Sequence, residues 1–170
     1  MRRASVALMA TAPPPEIELD ALQGDPRPLS DWVTTFHLAV VILDPYTYES
    51  SWIIDTAARV LESFNDADVR TAWMVTGSDQ EARDFLGPMA ERFLTFTDPD
   101  RALVRGLELE RLPAFVHLDH ALNIVGVAEG WQPPEWRAVA TTLSDQMSWS
   151  RPGIPEAGDP PPYPGTAALG

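Results

Sequence analysis

The chain has 170 residues, 45% of them hydrophobic, and carries 25 acidic against 12 basic residues for a net charge of −13. That length suits one domain with a proper core, and the charge argues against nucleic acid or an anionic membrane surface as a partner. Cysteine and lysine are both absent, which excludes disulfides, thiolate nucleophiles, Fe–S clusters, cysteine-ligated zinc, Schiff-base chemistry and a P-loop.

Met1-Arg2-Arg3 followed by Ala4 to Ala12 faintly suggests a signal peptide, but the apolar part is short and interrupted by Ser5 and Thr11. Cytoplasmic residence is therefore expected, with export the alternative. No stretch approaches the ~18 apolar residues of a membrane span, so membrane insertion is not expected. Residues 1–14 read as a flexible start. Abundant Ala, Pro, Asp and Arg without lysine looks like the coding bias of a high-GC bacterium.

Glu16-Ile17-Glu18-Leu19-Asp20 alternates like a half-buried strand, Gly24-Asp25-Pro26 turns the chain, and Ser30-Asp31-Trp32 reads as a helical turn. His37 to Leu43 is a continuous apolar run, as suits a strand covered on both faces. Ser51 to Phe64 has helical spacing, with Ser50 or Ser51 as its N-cap. Val69 to Val75 is a second buried strand. A helix from Asp79 follows, stopped by Gly87-Pro88 and resumed by Met89 to Leu94. Leu94 to Thr97 is a short strand, Asp98-Pro99-Asp100 starts a short helix, and Ala114 to Leu118 pairs with Ile124 to Ala128 as a hairpin. Gly130 ends the hairpin, and Pro134 to Met147 is an amphipathic helix. The segment from Arg151 to Gly170 holds six prolines and four glycines and reads as an extended or polyproline-II tail. Sheet and helices close before it, so its removal is expected to leave the domain folded.

Strands joined by helices need parallel crossovers, and the late hairpin adds an antiparallel edge. The expected architecture is an α/β mixed central sheet with helices on both faces and an N-terminal strand or hairpin extension. It occupies residues 15–149, with residues 150–170 as the tail.

Several strings resemble the redoxin version of the thioredoxin-like fold, the group of peroxiredoxins and TlpA-like proteins. Pro15 to Ser30, with its Gly turn and Leu29-Ser30 step, is similar to their entry hairpin. Thr97-Asp98-Pro99-Asp100 through Gly106-Leu107 resembles their Asp–short helix–Gly stretch, and Leu112-Pro113-Ala114-Phe115-Val116 resembles the strand opened by a cis-proline. The resemblance spans residues 15 to 147. It implies an active site between the first core strand and the next helix, here Leu43 to Trp52. Where thioredoxins carry C-x-x-C and peroxiredoxins T-x-x-C, this chain has Thr47-x-x-Ser50, which puts Ser50 at the family's cysteine position. Pro113 stands where peroxiredoxins place an arginine. Both parts of a peroxide site are missing.

Ser50 reads as a helix cap, or as a nucleophile if His117 and an acid such as Asp44 lie within reach. His117, Asp119 and His120 invite a metal reading, but on a strand residues three apart point to opposite faces and no third ligand has a convincing spacing. No metal and no cofactor is expected. Tyr46, Tyr48 and Trp52, with Thr47 and Glu49, place aromatics on a loop, where they either bind something or fold back. Beside the Leu112-Pro113 edge they would form a groove for an extended peptide, the way the resemblance implies. Pro160-Pro161-Pro162-Tyr163 reads as a docking tail or packing strap, and Trp149 as an anchor for its start.

The function expected is binding of a protein or peptide by a cysteine-less domain without thiol redox activity, through Tyr46, Thr47, Tyr48, Glu49, Ser50, Trp52, Leu112 and Pro113. Two alternatives stand beside it: a non-thiol enzyme using a Ser50/His117 pocket, and an assembly subunit docking through the tail. The sequence leaves oligomeric state and the partner's identity open.

Overall fold

A computed structural model of the chain describes residues 12–170, so the signal-like stretch read above falls almost wholly outside it. The strands are β1 (Glu18–Ala21), β2 (Gly24–Pro28), β3 (His37–Leu43), β4 (Val69–Val75), β5 (Leu94–Thr97), β6 (Arg111–Leu112), β7 (Ala114–Leu118), β8 (Ile124–Glu129) and β9 (Thr166–Ala167). The helices are α1 (Leu29–Trp32), α2 (Tyr48–Ser51), α3 (Ile54–Glu62), α4 (Asp79–Leu86), α5 (Met89–Arg92), α6 (Ala102–Gly106) and α7 (Pro133–Met147).

Seven strands form one mixed sheet in the order β2-β1-β5-β4-β3-β7-β8. β3, β4 and β5 run parallel, and β1, β7 and β8 join antiparallel. β3 is the middle of the core because its run of apolar residues serves both faces. Ala39, Val41 and Leu43 pack with Val60, Leu61 and Phe64 of the α3 region and Trp136 and Leu143 of α7. Leu38, Val40 and Ile42 pack on the other face with Leu29, Trp32, Leu103 and Val104.

Local chemistry sets the element ends. The Ser78 hydroxyl accepts from the Glu81 N–H while the Glu81 carboxylate accepts from the Ser78 N–H, a reciprocal cap for α4. The helix stops at Gly87, whose φ of +57° suits glycine. The Asp98 carboxylate accepts from the N–H groups of Ala102 and Leu103 and so opens α6. Pro133 and Pro134 begin α7, where a missing N–H costs nothing.

The fold departs from the sequence-based expectation at the helix after β3 and in how closely the C-terminal segment is tied to the domain. The helix expected from Ser51 begins at Tyr48 and is interrupted at Trp52–Ile53. The segment after Ser150, read as an extended tail and at Pro160–Tyr163 as a docking tail or packing strap, packs on the domain as a strap. The Trp149 indole donates to the Ser63 carbonyl at 2.7 Å and fixes its start. Ile154 is buried in the core. Asp159 accepts from Thr56 Oγ1 at 2.8 Å and from Arg59 at 2.7 Å. Trp131 and Tyr163 exchange two backbone hydrogen bonds, β9 pairs antiparallel with β6, and Ala168 is buried. Gly130 has a φ of +70°, and a Cβ there would meet the Pro164 carbonyl oxygen at 2.5 Å, so glycine is what lets the strap approach.

Candidate functional site

The loop after β3 leaves the sheet at Asp44 and turns into α2. Asp44 is almost fully buried, and its Oδ1 accepts from the Tyr46 N–H at 2.9 Å. Its Oδ2 lies 3.3 Å from Arg101, which also donates to the Ala168 carbonyl at 2.5 Å. Arg101 thus ties the loop's first residue to the strap, from a left-handed backbone position with a φ of +57°. Nothing in the local sequence marks that role.

Ser50 does not cap the helix. Thr47 holds the N-cap position, without a side-chain cap hydrogen bond, and Ser50 sits inside the first turn with no exposed surface. Its Oγ accepts from the buried Asp44 N–H at 3.0 Å, pinning the helix to the strand end. Replacing Ser50 with Ala should leave that N–H unpaired and cost about 1–2 kcal/mol in urea unfolding. A loss under about 0.5 kcal/mol would mean that the hydrogen bond does not hold the loop.

Ser50 and His117 form no pocket together. His117 lies opposite Ala39, and Asp44, which Ser50 touches, is five residues beyond Ala39, just past the end of β3. At a strand's rise that separates them by about 16 Å. The Ser50/His117 enzyme is therefore set aside.

His117 instead meets His37, which in turn packs against His120. Its Nε2 lies 2.9 Å from Nδ1 of His37, whose ring centroid is 4.8 Å from that of His120. The register explains it: His37 is two residues from Ala39 and so shares its face. His37 escaped the sequence reading because it is remote along the chain. Among the described residues no group of three or more His, Asp or Glu is arranged to hold a metal.

The aromatics of the loop face outward: Tyr46 is 61%, Tyr48 82% and Trp52 53% exposed. The Tyr46 hydroxyl donates to Glu81 Oε1 at 2.7 Å, which raises the tyrosine's pKa. Hydrogen bonds from the Ser78 N–H and from Tyr46 hold the Glu81 carboxyl below its usual range. Trp52 meets the Tyr163 ring edge-on at 5.3 Å.

The Leu112–Pro113 bond is cis, as the resemblance implies. Its edge is not an open groove. Leu112 is paired with Thr166, Leu112 and Pro113 are both buried, and the Tyr163 hydroxyl donates to the Glu49 carbonyl at 2.6 Å. Burial and the nearby Glu49 carboxylate keep that hydroxyl protonated. The strap fills the place where an extended peptide was expected, and its bonds to its own chain weigh against docking through a free tail.

Solved structures match the overall fold. The alkyl-peroxide-reducing bacterioferritin comigratory protein of Xanthomonas campestris is 15% identical, covers 89% of this chain and 100% of its own, and gives a TM-score of 0.63. The fold is thioredoxin-like. The exposed lipoprotein thioredoxin of Streptococcus pneumoniae agrees at 16% identity, covering 76% of this chain and 98% of its own, with a TM-score of 0.60. A secreted Mycobacterium tuberculosis disulfide oxidoreductase homologous to Escherichia coli DsbE agrees at 14% identity, 67% and 83% coverage and a TM-score of 0.54. No protein-family model and no curated protein matches the sequence. Ser50, which the sequence resemblance sets at the redoxin cysteine position, is buried and serves as a structural anchor for the loop. No helix among the described residues is long and apolar enough to cross a membrane.

Proposed function

We propose that the protein is a non-catalytic binding module that engages a protein or peptide through the aromatic loop from Tyr46 to Trp52 and performs no thiol redox chemistry. The observation that carries this is the outward display of Tyr46, Tyr48 and Trp52 around a Ser50 that has no exposed surface. Exposed rings on a loop are costly in water and favour a partner that covers them. The Leu112–Pro113 side is filled by the strap, so the partner meets the Tyr46–Tyr48 side of the loop.

Two measurements test it. The purified protein should show no insulin-disulfide reduction and no peroxide consumption above blank with excess reductant. Immobilised wild type should retain from its native lysate a partner that a Tyr46→Ala/Tyr48→Ala variant of unchanged melting temperature does not. Equal retention by both proteins would remove the loop from the binding surface.

A further inference from the structure

Next to the exposed loop, Tyr46, Tyr48 and Phe85 wall a cleft of about 500 Å³. An adjoining hollow of about 280 Å³ shares Pro45, Tyr46 and Phe85 and adds the carboxylates of Glu81 and Asp84. We infer that this composite cleft receives a cationic side chain, arginine above all, from a basic segment of the partner. The inference rests on the reading of this face as a binding surface and specifies what it binds.

The carboxylates are engaged on one side only. Glu81 Oε1 accepts from the Tyr46 hydroxyl and the Ser78 N–H, and Asp84 Oδ1 accepts from Gln80 Nε2. Among the described residues, Glu81 Oε2 and Asp84 Oδ2 accept no hydrogen bond, and neither carboxylate has an ion pair. Arg83 lies between them in sequence but is paired with Glu91 at 2.8 Å.

Aromatic faces and unpaired carboxylates at one opening suit one chemistry. A guanidinium stacks on a tyrosine or phenylalanine face and donates in its plane to carboxylates. An anion is repelled by the same carboxylates, and a neutral apolar group would strip water from them without return. The bond from Tyr46 to Glu81 fixes wall and acceptor relative to each other before anything arrives, which lowers the ordering cost of binding. The net charge of −13 adds long-range attraction for a basic partner.

The test uses the full chain, labelled with ¹⁵N, and two peptides: acetyl-Gly-Arg-Gly-Arg-Gly-Arg-Gly-amide and the same peptide with citrulline for each arginine. The arginine peptide should give saturable shifts at Tyr46, Tyr48 and Phe85, and the neutral peptide should bind about tenfold more weakly or worse. Glu81→Gln with Asp84→Asn should lower the arginine peptide's affinity about tenfold, and Tyr48→Ala about fivefold. Asp66→Asn with Asp68→Asn, at the opposite end of β4, removes the same charge from elsewhere and should change it less than about twofold. Equal binding of the citrulline peptide at these residues overturns the cationic inference while leaving the loop a peptide-binding surface. An equal loss in the Asp66/Asp68 variant overturns it in favour of diffuse attraction by net charge. Absence of saturable shifts at the three aromatics with the arginine peptide also overturns it.

Discussion

Truncation after Ser150 should lower the melting temperature by about 10–20 °C, the loss of about 4–6 kcal/mol in a domain of this size. The strap buries Ile154 and Ala168 and covers the fully buried Trp131, whose indole donates to the Pro160 carbonyl at 2.7 Å. Removing it wets Trp131 and Leu112 and leaves the Trp131 N–H and β6 without partners. A buried aliphatic side chain is worth about 1.5–3 kcal/mol and each net hydrogen bond about 1 kcal/mol. Loop-like chain ordering opposes these gains, which keeps the total near the stated range rather than at their sum. Differential scanning calorimetry measures the shift, and intrinsic fluorescence should move to the red as Trp131 meets water. A fall of less than about 5 °C would show that the strap contributes little and that the domain closes without it, as its composition suggests.

That composition was the misleading signal. Six prolines and four glycines describe a chain that cannot form a helix or central strand, but they do not say whether it is bound. Extended segments bury apolar side chains through contacts remote in sequence, and Tyr163 finds Trp131, Trp52 and Glu49 only in the fold. The parts that were legible follow a period or a local cap. His37 to Leu43 reads as a two-faced strand because no polar residue interrupts it, and Gly87 and Gly130 mark ends that need a positive φ. The aromatic loop was legible because Tyr46, Tyr48 and Trp52 follow directly on a core strand. Its neighbours were not: Phe85, Glu81 and Asp84 come from α4, which the parallel crossover brings alongside. Ser50 was placed at the right turn but in the wrong role. Serine's preference for helix ends carries no information about a buried N–H at Asp44.

Stability should fall by about 2 kcal/mol between pH 7 and pH 5, above the range where most carboxylates titrate. The source is His117, which has no exposed surface and whose pKa is lowered from 6.5 to about 4 by burial and then by His37. Asp119 opposes this, but less strongly. The tautomer follows from the partners. Nε2 shares a hydrogen bond with His37 Nδ1, while Nδ1 of His117 has no partner among the described residues. The neutral ring leaves a bare lone pair there; protonation would bury an N–H with no acceptor, which is the costlier state. The folded pKa therefore lies below the unfolded one. As pH falls through 6.5 the unfolded chain takes up the proton first, and stability present at neutral pH is lost progressively down to about pH 4. His37 acts in the same direction, its pKa lowered by burial and by His120, with Asp119 again opposing. Asp119 itself contributes only at lower pH, because hydrogen bonds from Asn123 and Ala121 outweigh the burial that would raise its pKa. Urea unfolding at pH 7, 6 and 5 gives the slope, and the His117 ring proton shift, followed by NMR, should show no titration above about pH 5. In His117→Gln, which keeps a polar group beside His37 but cannot titrate, the loss should shrink by more than half. A wild-type stability that stays flat from pH 7 to pH 5 would mean that the buried imidazole is solvated or charged in the folded protein.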